Sequence, residues 1–260
     1  MNWWLDLSIQ YASQRSYLDD LFRVYPTIPD GIRDINQAIW QQVEDAFERH
    51  DNMEMIKSLL KLELFPIKDS YIAYLRRDPD AIKRNPQTIN RLCGRIYEMG
   101  LNKLFERCSE PKETNRKIGP LFKNWVRSNA LGLTPISIDE FVSSSDNAIL
   151  DASDARMMDF AREELNYNND KGLDFVGRFN GKYVIGEAKF LTDFGGHQNA
   201  QFNDAITTLH TPNVKAIKIA ILDGVLYIKS NNKMFKSITR KYQNDNIMSS
   251  LVLREFLFQL

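Results

Sequence analysis

The chain has 260 residues, of which 43% are hydrophobic, so it can bury the core of one large domain or two small ones. No stretch approaches the roughly 18 consecutive apolar residues of a membrane-spanning helix, and Asp6 stands where a signal peptide carries basic residues. The two cysteines, Cys93 and Cys108, lack the spacing of a zinc site or a disulfide framework. We therefore expect a globular cytoplasmic protein that has no membrane partner.

Basic and acidic residues balance at 34 each, but they are sorted into blocks along the chain. Seven basic and three acidic residues lie between Lys103 and Arg127, and seven basic residues against one acid lie between Val214 and Lys241. Between these cationic stretches, residues 139–174 contain ten acids and three bases. Such sorting allows a phosphate-binding cleft beside an acidic metal site, although separate solvated faces would produce the same pattern.

The first half of the chain has the periodicity of helices. Apolar residues recur at three- and four-residue spacing from Trp3 to about Val126, and prolines and glycines divide this stretch into several short helices. The segment from Asn85 to Glu106, with a turn at Gly100, suits either a helix-turn-helix or an ordinary helical domain. The polar run after it has side chains suited to base-edge and phosphate contacts but also typical of a surface loop: Lys112, Thr114, Asn115, Arg116 and Lys117.

Strands begin in the second half, after a helix through Met157 and Leu165. We predict two strands at residues 173–179 and 183–190, a helix at 198–209, and a second hairpin of strands 216–222 and 225–228 that turns at Asp223-Gly224. This order predicts an α/β or α+β fold with a mixed sheet.

The first hairpin carries the residues most suited to chemistry. Asn180-Gly181 is a strong signal for a two-residue type I′ turn, which pairs the residues that flank it. Counting outward from that pair places Asp174 opposite Glu187 on one face of the sheet, with Cβ atoms about 5 Å apart. Lys189 joins them on that face, because side chains alternate along a strand.

The opposite face of this hairpin is predicted to be apolar and to pack inward. Its residues are Leu173, Phe175, Phe179, Val184, Ala188 and Phe190. Val176 and Ile185 share the face of the two carboxylates, so that face is predicted to be half covered, as the floor of a cleft would be.

Two carboxylates that face each other across a strand pair repel, so they need a positive group between them. A hard divalent cation such as Mg²⁺ meets that need, with Asp174, Glu187 and the backbone carbonyl of Ala188 as candidate ligands. The cation would polarise a phosphodiester and help ionise a water, while Lys189 would orient or deprotonate that nucleophile and balance charge on phosphorus. The alternative is a solvated sheet face on which Lys189 neutralises its acidic neighbours.

Two short motifs on this hairpin resemble the PD-(D/E)XK nuclease superfamily. They are Gly172-Leu173-Asp174-Phe175, with leucine in place of the motif's proline, and Gly186-Glu187-Ala188-Lys189. The resemblance covers about residues 154–228, and the size and helical first half are similar to those of type II restriction endonucleases. It implies a PD-(D/E)XK core with helices around a mixed sheet. It also implies Mg²⁺-dependent cleavage of both strands of double-stranded DNA at a short sequence, a homodimer, and a partner methyltransferase that protects host DNA.

Further candidates follow these motifs. Gln198 and Gln201 would share the polar side of the next helix near the metal cleft, or lie on an exposed helix surface. The resemblance also implies an additional acid from the helix before the sheet, for which Glu163 and Glu164 are equal candidates.

We therefore predict a sequence-specific DNA endonuclease. Residues 1–130 form a helical region that recognises DNA, and residues 131–260 form the catalytic core with a basic C-terminal segment. The basic residues expected to hold DNA there are Lys233, Lys236, Arg240 and Lys241. The alternatives are a repair or recombination nuclease that reads DNA shape or ends, and a DNA-binding regulator without catalysis.

Overall fold

The computed structural model describes residues 1–14, 16–26, 34–110 and 118–260. Its helices are α1 (Trp3–Ala12), α2 (Tyr17–Val24), α3 (Gln37–Glu48), α4 (Asn52–Lys61), α5 (Ile72–Arg77), α6 (Ala81–Arg84), α7 (Pro86–Met99), α8 (Leu101–Cys108), α9 (Ile118–Arg127), α10 (Ile138–Ser143), α11 (Asp154–Leu165), α12 (Gly196–Leu209), α13 (Lys233–Lys236) and α14 (Ser250–Phe258). Its strands are β1 (Ala148–Ile149), β2 (Phe175–Phe179), β3 (Lys182–Leu191), β4 (Ile217–Gly224) and β5 (Ile247–Met248). None of the described helices is both long and apolar enough to cross a membrane.

The chain divides into two compact units, one formed by Met1–Thr27 with Thr114–Leu260 and the other by Ile28–Glu113. This division differs from the predicted boundary at residue 130, because α1, α2 and α9 pack into the same apolar core as the sheet. The residues of these helices in that core include Leu5, Ile9, Leu21, Phe122 and Val126.

The Ile28–Glu113 unit is helical and has a core of its own. Helices α3 to α8 supply that core, and both cysteine side chains are buried in it. Helix α7 begins with Pro86 in its first turn and ends at Gly100, whose φ of 75° starts the turn into α8. The helix, glycine and helix expected between Asn85 and Glu106 are therefore present.

In the described chain, five strands form one mixed sheet in the order β1-β2-β3-β4-β5. The pairs β1–β2 and β2–β3 are antiparallel, whereas β3–β4 and β4–β5 are parallel. Parallel neighbours cannot be joined by a tight turn, and α12 supplies the crossover from β3 to β4. The predicted mixed sheet flanked by helices is confirmed.

The predicted second hairpin at Asp223-Gly224 is wrong. Strand β4 continues through both residues, the chain then makes a 3-10 turn at Val225–Tyr227, and the next strand, β5, pairs parallel to β4. Asp223 is fully buried, and Gly224 is needed for a close approach, because a Cβ there would lie 2.1 Å from the carbonyl oxygen of Leu191. A glycine at the end of a buried strand thus resembled a turn signal.

The β2–β3 hairpin has the predicted register. Asn180 and Gly181 both have positive φ, 49° and 73°, as a type I′ turn requires, and Phe179 pairs with Lys182. Phe175, Phe179, Val184 and Ala188 pack with α1, α2, α9 and α14 in the larger core.

The other face of the hairpin is covered by a second core beneath α10 and α11. Val176 and Ile185 belong to this core, together with Phe141 and Phe160 from those helices. Leu173 also packs here and not with Phe175, contrary to the prediction, because β2 begins only at Phe175 and strict alternation does not extend back to residue 173.

Candidate active site

The hairpin brings an acidic residue before β2 next to the second half of β3. The last ladder pair joins Phe175 to Gly186. The amide of Asp174, just before β2, also donates to the Gly186 carbonyl at 3.0 Å, whereas a regular ladder would direct it away from β3. The carboxylates of Asp174 and Glu187 nevertheless both contact Lys189 Nζ, so the two acids lie close together, as predicted. The predicted metal site requires these two carboxylates to lie close together.

Three charged side chains meet at this position. The Lys189 Nζ lies 2.6 Å from Glu187 Oε1 and 3.6 Å from Asp174 Oδ2. The Glu187 side chain is only 8% exposed, that of Asp174 16% and that of Lys189 21%. Such burial keeps charges strongly coupled, because little water screens them.

Each carboxylate is also held by a hydrogen bond to a fixed group. The Ala188 amide donates to Asp174 Oδ2 at 2.9 Å, and the Thr208 hydroxyl of α12 donates to Glu187 Oε2 at 3.1 Å. Thr208 is fully buried, and the Tyr167 hydroxyl lies 3.4 Å from its Oγ1. The sequence interpretation missed Thr208. Its only local signal is its place on the inner face of α12, between Ala205 and Leu209.

Burial and the two acids shift the pKa values of the site. Burial raises the pKa of Glu187, and the nearby Asp174 carboxylate raises it further, against the opposing effect of Lys189. For Lys189, burial lowers the pKa, but the carboxylates of Asp174 and Glu187 outweigh it and the net shift is upward. Lys189 is therefore protonated at neutral pH in this arrangement, and an ammonium group can orient a nucleophile but cannot accept its proton.

The donors present fit a small, hard divalent cation. No group of three or more His, Cys, Asp or Glu side chains suited to one metal lies within the described part of the chain, so Asp174 and Glu187 form a two-carboxylate set. Mg²⁺ is commonly held by one or two carboxylates and keeps several waters. The Ala188 carbonyl is expected to face the same side, because the N–H and C=O of one strand residue point the same way and the Ala188 N–H points to Asp174.

Comparison with known families gives a match along nearly the whole chain. The family model described as Tsp45I type II restriction enzyme matches residues 2–260. The chain belongs to this family. No curated protein and no solved structure gives a significant match. The family is one of site-specific nucleases, so this restriction enzyme is a sequence-specific DNA-cleaving enzyme and DNA is its partner.

Two residues of α12 that were predicted to contact DNA have partners close to them in the chain. In this restriction enzyme Gln198 is buried, and its amide is bonded to Thr192, accepting from the backbone N–H at 3.2 Å and lying 3.3 Å from the hydroxyl. It is not available for a DNA contact in this conformation, because it closes the loop between β3 and α12. Gln201 is half-buried and contacts His197 at 3.2 Å.

The remaining candidates have different environments. Glu163 and Glu164 are exposed on α11, and no contact joins either to the three charged side chains. Lys233, Lys236 and Arg240 are exposed and have no ion-pair partner among the residues described. Lys241 lies over the ring of Tyr242, with its Nζ 4.8 Å from the ring centre. Lys112, Thr114, Asn115, Arg116 and Lys117 lie outside the described residues.

Proposed function

We propose that this restriction enzyme hydrolyses both strands of double-stranded DNA at a short specific sequence, with Asp174, Glu187 and Lys189 as catalytic residues and Mg²⁺ as cofactor. The observation that carries the proposal is the contact of one half-buried ammonium group with two carboxylates, one from each arm of a hairpin. A family of site-specific nucleases supplies the reaction to which this arrangement is suited.

Each residue of the site would have a separate role in the hydrolysis. Asp174, Glu187 and the Ala188 carbonyl would hold Mg²⁺, and Thr208 would keep the Glu187 carboxylate in place. Mg²⁺, when bound, supplies the Lewis-acid charge that polarises a phosphodiester and favours ionisation of a water. Lys189 would donate hydrogen bonds that orient the nucleophile and would offset negative charge that develops on the phosphoryl oxygens.

The number of catalytic centres in each chain indicates how many chains are needed to cut both DNA strands. Asp174, Glu187 and Lys189 form one centre per chain within the described residues, whereas cleavage of a duplex needs one cut on each strand. We therefore propose a homodimer, with the two-fold symmetry that suits a duplex. A methyltransferase that modifies the same DNA sequence would protect host DNA without needing direct contact with this chain.

Incubation of supercoiled plasmid and mixed-sequence linear DNA with the protein tests the proposal. With Mg²⁺ we expect discrete fragments whose ends share one short sequence, and with chelator we expect intact DNA, because the two carboxylates need a cation to act on a phosphodiester. Fragments are measured by gel and their ends by sequencing. Equal cleavage in chelator would contradict the metal requirement, and ends without a shared sequence would contradict site specificity.

We also propose that the Ile28–Glu113 unit contributes to recognition of the DNA sequence, and that Lys233, Lys236 and Arg240 contact phosphates. Helix α7 supports the first part, because it exposes Gln87, Asn90, Arg91 and Arg95. These side-chain types form most base-edge hydrogen bonds.

Arg95→Ala is expected to relax the sequence at the cleaved ends, because loss of one base contact costs about 1 to 3 kcal/mol of discrimination. Sequencing of the ends measures this, with Lys57→Ala on α4 of the same unit as the control. If Arg95→Ala cut DNA at the wild-type rate and produced ends with the wild-type sequence, α7 would not contribute to recognition through this residue.

A further inference from the structure

Helix α9 carries a row of residues that begins at the catalytic carboxylate. Gly119, Lys123 and Arg127 are four residues apart, so they lie on one side of the helix, about 6 Å apart along its axis. Gly119 is next to the catalytic residues, because a Cβ there would lie 3.8 Å from Asp174 Oδ1. The adjoining side of α9, about 100° around the helix, packs into the core through Ile118, Phe122 and Val126. The orientation of the row is therefore set by apolar packing.

The two basic side chains of this row share a narrow cavity with the catalytic acid. Lys123, Arg127, Asp151 and Asp174 all line it. Counted outward from Asp174 along α9, Lys123 comes first and Arg127 lies one turn further on. The cavity, at about 20 Å³, is too small to hold a phosphate, so a phosphate would contact these two groups on the surface beside it. Guanidinium and ammonium groups are the side chains that usually contact DNA phosphates.

Both basic groups have partners that a phosphate could replace. Arg127 holds Asp151 through two nitrogens, with Nη2 to Oδ1 at 2.7 Å and Nε to Oδ1 at 3.0 Å, and both side chains are substantially exposed. Lys123 pairs with Asp154, whose side chain is 68% exposed in the first turn of α11. The Arg127–Asp151 pair and the Asp154 carboxylate are exposed, so exchange of either carboxylate for a phosphate is inexpensive, although the Lys123 side chain itself is only 17% exposed.

We propose that Lys123 and Arg127 form a phosphate-binding row that holds the DNA backbone beside the scissile bond, and that Asp151 and Asp154 occupy these groups when DNA is absent. The inference rests on the proposed function, since it places the scissile phosphate at Asp174. It adds two specific contacts and a carboxylate-to-phosphate exchange to that function.

Binding of a short mixed-sequence duplex in chelator, over a series of salt concentrations, tests the row without any need for cleavage. Lys123→Met and Arg127→Met are each expected to weaken binding about tenfold or more at roughly 0.1 M salt. Each should also reduce the slope of log affinity against log salt by about 0.9, because one phosphate contact is lost. Lys123→Arg and Arg127→Lys should keep the slope.

Variants of the acidic partners separate this role from a structural one. Asp154→Asn and Asp151→Asn break the same ion pairs from the other side, and they are expected to bind DNA as tightly as wild type or more tightly. Lys182→Met, at the turn end of the β2–β3 hairpin, is the control for loss of a surface lysine and should bind like wild type. Thermal unfolding of all variants verifies that they are folded.

Two results would overturn the inference: equal loss of affinity in the acidic and basic variants, or an unchanged salt slope in Lys123→Met and Arg127→Met. Failure of the proposed function has a different signature, namely no Mg²⁺-dependent cleavage by wild type or full cleavage by Asp174→Asn. The two failures are distinguishable because the binding assay contains no Mg²⁺.

Discussion

Asp174→Asn and Glu187→Gln are each expected to slow DNA cleavage by about 10³-fold or more, because each removes one of two charges that would hold the cation. Both substitutions keep the size of the side chain. In the Asp174→Asn variant the side-chain amide oxygen can still accept the hydrogen bond from the Ala188 amide. Cleavage rates under saturating Mg²⁺ measure the effect. DNA binding in chelator is expected to be retained, since neither carboxylate attracts a phosphate.

Matched substitutions of exposed acids are the controls for these two variants. Asp170→Asn changes a fully exposed side chain that pairs with Arg162, and Glu255→Gln changes an exposed residue of α14. Both are expected to cleave at the wild-type rate. If Asp174→Asn or Glu187→Gln cleaved DNA as fast as these controls, the assignment of the catalytic residues would be wrong.

Asp223→Ala is expected to lower the free energy of unfolding by about 3 to 5 kcal/mol, the largest loss of stability that we predict. The Asp223 carboxylate is fully buried and accepts hydrogen bonds from the Ser249 hydroxyl, the Ser250 amide and the Tyr25 hydroxyl, the last at 3.0 Å. Removal of the carboxylate leaves these buried donors without a partner. Urea unfolding measures the loss, and Asp170→Ala, at an exposed position, should change stability by no more than about 0.5 kcal/mol.

The pH dependence of stability gives a second test of Asp223. Burial raises the pKa of its carboxyl group, against the opposing hydrogen bonds from Ser249, Ser250 and Tyr25. The folded chain therefore holds this proton to higher pH than the unfolded chain, whose value is about 3.9. The protonated Asp223 carboxyl group therefore contributes its full stabilisation below about pH 3.9, the unfolded value. That stabilisation is lost as pH rises through the pKa of Asp223 in the folded chain.

Comparison with Asp223→Asn isolates this effect, because asparagine does not titrate. The stability of wild type relative to Asp223→Asn is expected to fall as pH rises above about 4. The titratable groups that face Asp223 are the hydroxyls of Tyr17, Tyr25 and Tyr227, whose pKa values are all raised, so they stay neutral in this range. A relative stability that rises with pH would show that Asp223 is instead stabilised as the carboxylate.

The candidate site could be predicted because its geometry is local in sequence. A two-residue Asn180-Gly181 turn allows one register, and counting from it places Asp174 near Glu187 and Lys189, although the regular ladder ends one residue short of Asp174. The charges needed at the site are present within sixteen residues of each other. No distant contact is needed to bring these three side chains together.

Contacts between distant parts of the chain were decided only by the tertiary structure. The Asp223-Gly224 pair resembles a turn by composition, but β5 and α14, about 25 residues later, pair with and cap this end of β4 and bury the aspartate. Likewise, α9 reaches Asp174 and Thr208 reaches Glu187 through packing of helices on the sheet. Parallel pairing and helix packing leave no local periodicity that specifies their partners, because they depend on which apolar faces bury each other. Local sequence therefore determined the β2–β3 hairpin and its three charged residues, and long-range burial determined what surrounds them.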